Sequence, residues 1–148
     1  QRQMCIRDRP SSAQTPGTDW ARLTASGVLF DGAYNTGMSL SSGVFTFPTI
    51  GRYLIIWAIG IYVTNNDSGI GFNLQTCTDG STFSSITNID EGDSGGHHCH
   101  LSHQHIAYIT DTTNQKVRFA TGSMTGGNIK GGTSQSYGNC TFLRLNDI

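Results

Sequence analysis

The side chains best suited to chemistry are histidines, and all five lie in one nine-residue stretch. Because residues two apart on a β-strand share a face, this stretch holds two H-x-H pairs, His98 with His100 and His103 with His105. Each pair can direct two imidazoles at one point, and imidazole is a ligand for Zn, Fe, Ni and Cu. Cys99 is a further candidate ligand. The alternative is a polar strand whose histidines face solvent or hydrogen-bond across the sheet.

A serine motif, Gly-Asp-Ser-Gly-Gly at residues 92–96, matches the nucleophile loop of chymotrypsin-like proteases. A catalytic serine needs a base within hydrogen-bond reach and a third group that orients the base. Every histidine of this chain follows Ser94, whereas in those proteases the catalytic histidine lies far upstream. We therefore predict no catalytic residue and no enzyme activity.

The element that must position these groups is the apolar stretch at residues 41–64. A short β-prone run at 44–47 ends at Pro48, which has no N–H to donate to a sheet. Gly51 then marks a turn, and residues 52–64 are rich in β-branched and aromatic side chains. Alternate positions of this run are apolar on both faces, which is typical of a central strand covered on both sides.

Composition favours many short strands joined by turns, because the chain has 19 glycines and only 13% charged residues. The net charge of −1 gives no electrostatic case for nucleic acid or an anionic membrane, and no apolar run reaches the roughly 18 residues of a membrane-spanning helix. Further strands are predicted within 20–31 and at 70–76, 83–89, 98–110, 116–122 and 141–145. Loops or turns are predicted at 35–42, 65–69, 90–96, 111–114 and 123–139.

Two other features concern the start of the chain and its cysteines. Residues 1–9, QRQMCIRDR, resemble translated adapter read-through at the start of reading frames assembled from environmental DNA. We predict that residues 1–17 are a disordered or non-native lead-in and that 18–148 form one domain. Cys77 and Cys140 are predicted to be buried thiols, and a disulfide is the alternative if their strands are neighbours.

Five residues carry a family resemblance: Gly43, Phe45, Pro48, Gly51 and Tyr53 follow the pattern G-x-F-x-x-P-x-x-G-x-Y. This pattern resembles the segment that precedes the long central strand of C1q/TNF-like domains. The stretches HIAYITDTTNQKVRF and CTFLRLND are similar to later strands of that family, so the resemblance covers residues 28–147. It implies an all-β, C1q/TNF-like jelly-roll β-sandwich that assembles as a homotrimer.

A trimer would bury surplus aromatic surface, and we predict an interface built partly on Tyr53, Tyr108 and Phe142. It would also bring three H-x-H pairs together. Because Leu101 and other apolar residues alternate with the second pair, we predict that His103 and His105 point to the threefold axis. Six imidazoles there would suit an octahedral ion such as Fe, whereas Cys99 would favour Zn.

The glycine-rich segment 123–139 is the candidate ligand-binding loop, since long loops on rigid sandwiches often carry binding surfaces. Its candidate contact residues are Asn128, Lys130, Gln135 and Tyr137. The predicted function is a non-enzymatic trimeric module on a phage or virus surface: a head fibre, decoration protein or tail-fibre tip. Its partners would be other virion proteins or a host receptor or glycan. The alternative is a secreted C1q-like recognition protein that binds a carbohydrate or protein.

Overall fold

The computed structural model describes residues 5–10, 20–22, 37–63, 67–93, 96–121, 127–130 and 138–146, and within these ranges the chain contains strands and turns but no helix. The first sheet contains β1 (Cys5–Pro10), β2 (Trp20–Arg22), β5 (Gly51–Val63), β8 (His97–Ile109), β10 (Gly127–Ile129) and β11 (Gly138–Asn146). The second contains β3 (Ser39–Ser41), β4 (Val44–Thr46), β6 (Asp67–Cys77), β7 (Ser84–Asp93) and β9 (Lys116–Thr121). All their pairings are antiparallel.

Strand β5 lies in the middle of the first sheet. Strand β8 pairs with it along its whole length, while β11 and β10 pair in turn with its other edge. Strands β1 and β2 extend the sheet beyond β11. Because β8 pairs only with β5 among the described strands, it forms that sheet's edge. The second sheet has the order β3-β4-β9-β6-β7.

The core lies between the two sheets and is dominated by aromatic rings. Trp57 and Tyr53 of β5 are fully buried, and Phe119 of β9 stacks on Phe72 of β6 with centroids 5.6 Å apart. Phe45 of β4 packs against rings from both sheets. Burying a large apolar side chain stabilises the fold by about 1.5–3 kcal/mol, so this cluster holds the sheets together.

The residues of the G-x-F-x-x-P-x-x-G-x-Y pattern have physical roles at the start of β5. Ser42 and Gly43 have φ of 48° and 77° and connect β3 to β4 as a two-residue hairpin turn. Gly51 has φ of 147°, and a Cβ there would lie 2.7 Å from the carbonyl oxygen of Asn146. The Tyr53 hydroxyl donates to the Thr49 carbonyl at 2.7 Å, which closes the turn after Pro48.

Most predicted strands are confirmed, but five segments predicted as non-strand contain strand residues, one of them the predicted turn 65–69, where β6 already begins at Asp67. Strand β1 lies within the supposed lead-in and pairs with β11. Strand β3 lies within the predicted turn region 35–42, and β7 continues to Asp93 inside the predicted loop 90–96. Strand β10 lies within the predicted loop 123–139, because Ile129 is an apolar residue that becomes fully buried opposite Ile61.

The prediction that β5 is covered on both faces is wrong for a single chain. Its odd-numbered side chains from Tyr53 to Val63 are buried, whereas its even-numbered residues are mostly half-buried or exposed. Ile56, for example, exposes 38% of its surface. The second sheet covers one face only, so the other face stays accessible.

Candidate binding face

The accessible side of the first sheet, which we call the outer face, is assembled by cross-strand pairing. Directly paired residues of an antiparallel sheet point to the same side. The outer face consists of the following residues of β5, β8 and β11: Arg52, Leu54, Ile56, Ala58, Gly60, Tyr62, His98, His100, Ser102, Gln104, Ile106, Tyr108, Asn139, Thr141 and Leu143. Its side chains change from apolar at one end to polar at the other.

The apolar end of the outer face exposes unusually large side chains. Ile106 and Tyr108 expose 52% and 55% of their surfaces, and Leu54 and Leu143 beside them are half-buried. The Arg52 guanidinium lies 4.7 Å from the Tyr108 ring centroid, so the charge covers one side of that ring. Exposed apolar side chains grouped in this way are typical of contact surfaces.

The polar end is built around Tyr62. The Tyr62 ring packs against the His98 ring with centroids 4.8 Å apart, and the Lys130 Nζ lies 5.5 Å from the same tyrosine ring. Lys130 is held in place because its backbone N–H donates to the Gly60 carbonyl at 2.8 Å. His100 lies opposite Gly60 and is exposed.

The two H-x-H pairs lie on opposite faces of β8. An odd number of positions separates His98 from His103, and successive residues of a strand point to opposite faces. His98 and His100 belong to the outer face, whereas His103 pairs with Trp57 and His105 with Ile55 on the side that looks toward the second sheet. His103 meets the Trp57 ring edge-on, with centroids 5.3 Å apart. The outward pair is therefore the first one, contrary to our assignment of His103 and His105 to a shared axis.

Cys99 joins neither pair. It pairs with Ile61 on the inner side of β8 and packs partly buried against the core, so it points away from His98 and His100. Among the described residues, no three His, Cys, Asp or Glu side chains are placed to hold one metal ion. The predicted five-residue ligand set is thus not brought together within one chain.

A cleft of about 220 Å³ runs along the edge of the sandwich where β8 has no further partner. Its walls include His105, Ile86 of β7 and Cys77 at the end of β6. Partial burial there, and secondarily the charge of His103, lowers the pKa of His105 below its ordinary value. His105 therefore lies in a drier place than His98 and His100, whereas its pair partner His103 is exposed.

Two of the three predicted interface residues are wrong. Tyr53 and Phe142 expose 0% of their surfaces within one chain, and a side chain enclosed by its own core cannot contact a second chain. Tyr108 is exposed and stays a candidate. The sequence argument missed Ile56 and Ile106, whose even-numbered positions on β5 and β8 are the signal that places them on the outer face.

The predicted loop residues are only partly described. Asn128 lies in β10 opposite Tyr62, and Lys130 follows that strand. Gln135, Tyr137 and Ser94 lie outside the described residues. The described part of the chain also has no helix with the length and hydrophobicity needed to cross a bilayer.

The cysteine predictions are settled by topology. Cys77 ends β6 in the second sheet, whereas Cys140 lies in β11 of the first, so their strands are not neighbours. Both side chains are buried and remain thiols. The Cys77 Sγ lies 3.2 Å from the Asn114 carbonyl oxygen, to which it donates.

No family model and no curated protein matches the sequence, but solved structures share its fold. Murine APRIL at pH 5.0 superposes with a TM-score of 0.72 at 6% identity, over 97% of this chain and 99% of that one. Eiger TNF from S. frugiperda gives 0.67 at 11% identity, over 100% and 96%. The globular domain of zebrafish complement 1qA gives 0.57 at 12% identity, over 98% and 96%. The chain thus has a C1q/TNF-like jelly-roll fold.

Proposed function

We propose that this protein is a homotrimeric, non-enzymatic binding module that assembles through the apolar end of its outer face. The observation that carries the proposal is the exposed cluster of Ile56, Ile106 and Tyr108 on a sheet whose other face is already the core. Covering these side chains would remove apolar surface from water, at about 25 cal/mol per Å².

The occupant of this face is a second copy of the chain. The resemblance of the G-x-F-x-x-P-x-x-G-x-Y segment to C1q/TNF-like domains implies a homotrimer, and the shared fold supports that inference. Oligomers of identical chains are usually closed and symmetric, so three copies around one axis would each cover a part of this face.

The role that we propose for the trimer is at a phage or virus surface, as a head fibre, decoration protein or tail-fibre tip that contacts other virion proteins, a host receptor or a glycan. It rests on the resemblance of residues 1–9 to read-through from environmental DNA. The alternative is a secreted C1q-like protein that recognises a carbohydrate or protein. Sequence upstream of this domain would distinguish them: a fibre stalk supports the first role, and collagen-like repeats or a signal peptide support the second.

The assembly is tested by measuring mass in dilute solution for the wild type and for Ile56→Asp. We expect a trimer for the wild type and a folded monomer for the variant, because a buried carboxylate in an apolar interface is strongly unfavourable. Ile50→Asp is the matched control: Ile50 is 47% exposed but lies in the turn before β5, so its variant should stay trimeric. A monomeric wild type would refute the assembly.

A further inference from the structure

We propose that His98 and His100 chelate a divalent transition-metal ion of the Zn²⁺, Ni²⁺ or Cu²⁺ class on the outer face of the first sheet. This site goes beyond the proposed assembly, since both ligands belong to one chain. The two residues are separated by one position on β8 and pair with Tyr62 and Gly60 of the central strand. Both imidazoles therefore project from the same face and are exposed to solvent.

The neighbours of the pair favour a metal complex above the sheet. The packing of His98 against the Tyr62 ring restricts the orientation of that imidazole, which lowers the entropy cost of ligation. Opposite His100 stands Gly60, which has no side chain to fill the space beside that ring. An ion bound there would have room for the water molecules that complete its coordination shell.

The ligand chemistry selects the class of ion. Neutral imidazole suits Zn²⁺, Ni²⁺ and Cu²⁺, whereas Ca²⁺ and Mg²⁺ require oxygen ligands. The Lys130 ammonium, 5.5 Å from the Tyr62 ring, supplies no oxygen ligand, and its positive charge repels any dication and so limits the affinity. Two imidazoles with water in the remaining positions give a site of modest affinity.

The inner pair, His103 and His105, is the less suitable chelate although its spacing is identical. An ion held by only two protein ligands keeps much of its hydration shell, so its site must be open to water. His105 is instead half-buried where it lines the cleft between the sheets, and His103, although exposed, meets the buried Trp57 edge-on. An ion bound by both imidazoles would have to enter the cleft beside His105 and lose part of its hydration shell there.

The test is a calorimetric titration of the full chain with NiCl₂ or ZnCl₂, comparing wild type with two double variants. His98→Ala/His100→Ala should weaken the tightest site by about tenfold or more, since even residues that only orient a metal ligand are worth that much. His103→Ala/His105→Ala, the matched control, should leave the affinity within about twofold. Loss confined to the inner-pair variant, or equal loss in both, would overturn the assignment.

A second measurement makes the result independent of whether a double variant folds. Paramagnetic Ni²⁺ added to the wild type should broaden the NMR signals of the His98 and His100 rings first. Broadening that begins at His103 and His105 would refute the site. The mass of the metal-free wild type, measured in parallel, reports on the trimer alone, so failure of the metal site and failure of the assembly are distinguishable.

Discussion

Both faces of β5 carry large aliphatic side chains, yet the two faces have different environments. Ile55 is fully buried against the second sheet, whereas its neighbour Ile56 exposes 38% of its surface on the outer face. The same holds for β8, where Leu101 is buried and Ile106 is 52% exposed. Hydrophobicity alone therefore does not decide which face becomes the core of a chain and which remains available for a partner.

What separates the faces is the geometry of the second sheet. That sheet supplies rings such as Phe119 and Phe72 to one side only, and packing against them excludes water from that side. The outer face keeps its apolar end because, on our proposal, other copies of the chain cover it. The comparison thus predicts that equal substitutions on the two faces act on different equilibria.

The largest expected effect comes from truncating the two adjacent isoleucines. Ile55→Ala should lower the free energy of unfolding by about 2–5 kcal/mol, because it removes transfer energy and leaves a cavity. Ile56→Ala should change the folding of the isolated chain by about 1 kcal/mol or less and instead weaken assembly. Urea unfolding at several protein concentrations separates the two effects, because only a change in assembly makes the measured stability depend on protein concentration.

The comparison breaks down if Ile55→Ala and Ile56→Ala lower the free energy of unfolding by the same amount at every protein concentration. That result would mean that the outer face is packed within the chain itself. It would also remove the main support for self-assembly through Ile56.

A smaller effect is expected where β5 begins, because the register set there decides which residues face the core. Gly51→Ala combines an unfavourable φ of 147° with a Cβ placed 2.7 Å from a backbone oxygen. We expect a loss of about 1–3 kcal/mol in the free energy of unfolding. Gly96→Ala is the matched control, since its φ of 75° is also positive but nothing lies within 4 Å of the added Cβ.

Thermal or urea unfolding of both glycine variants measures the difference. Gly96→Ala should show the cost of backbone strain alone, and Gly51→Ala should exceed it. An equal loss in both would indicate that Arg144 and Asn146 move aside without cost, and that the close approach does not set the register.

The jelly roll was predictable because its evidence is local. Pro48, Gly51 and Tyr53 occupy positions that a tight turn before a long strand requires. The outer face was not predictable because it depends on register between distant strands. Phe142 pairs with Ile55 and therefore points inward, and nothing in its own neighbourhood of the sequence indicates that.

The histidine prediction failed at a similar step. Apolar residues such as Leu101 alternate with His103 and His105, which correctly indicates a shared inward face. Equating that face with a subunit interface is the step that departs from the structure, because within one chain the face looks toward the second sheet. Strand pairing was needed to identify His98 and His100 as the outward pair.

The smallest expected effect concerns pH and distinguishes the half-buried His105 from the exposed outer pair. Burial, and secondarily the charge of His103, lowers the pKa of His105 in the folded chain, whereas the unfolded chain should keep the ordinary value of about 6.5. The unfolded state then binds more protons than the folded state just below pH 6.5. The free energy of unfolding therefore falls as the pH decreases from about 6.5 toward the pKa of folded His105, and it stops falling below that pKa. His105→Gln should flatten that part of the profile, measured by urea unfolding between pH 7.5 and 5. If this variant keeps the wild-type profile, the cleft does not desolvate His105.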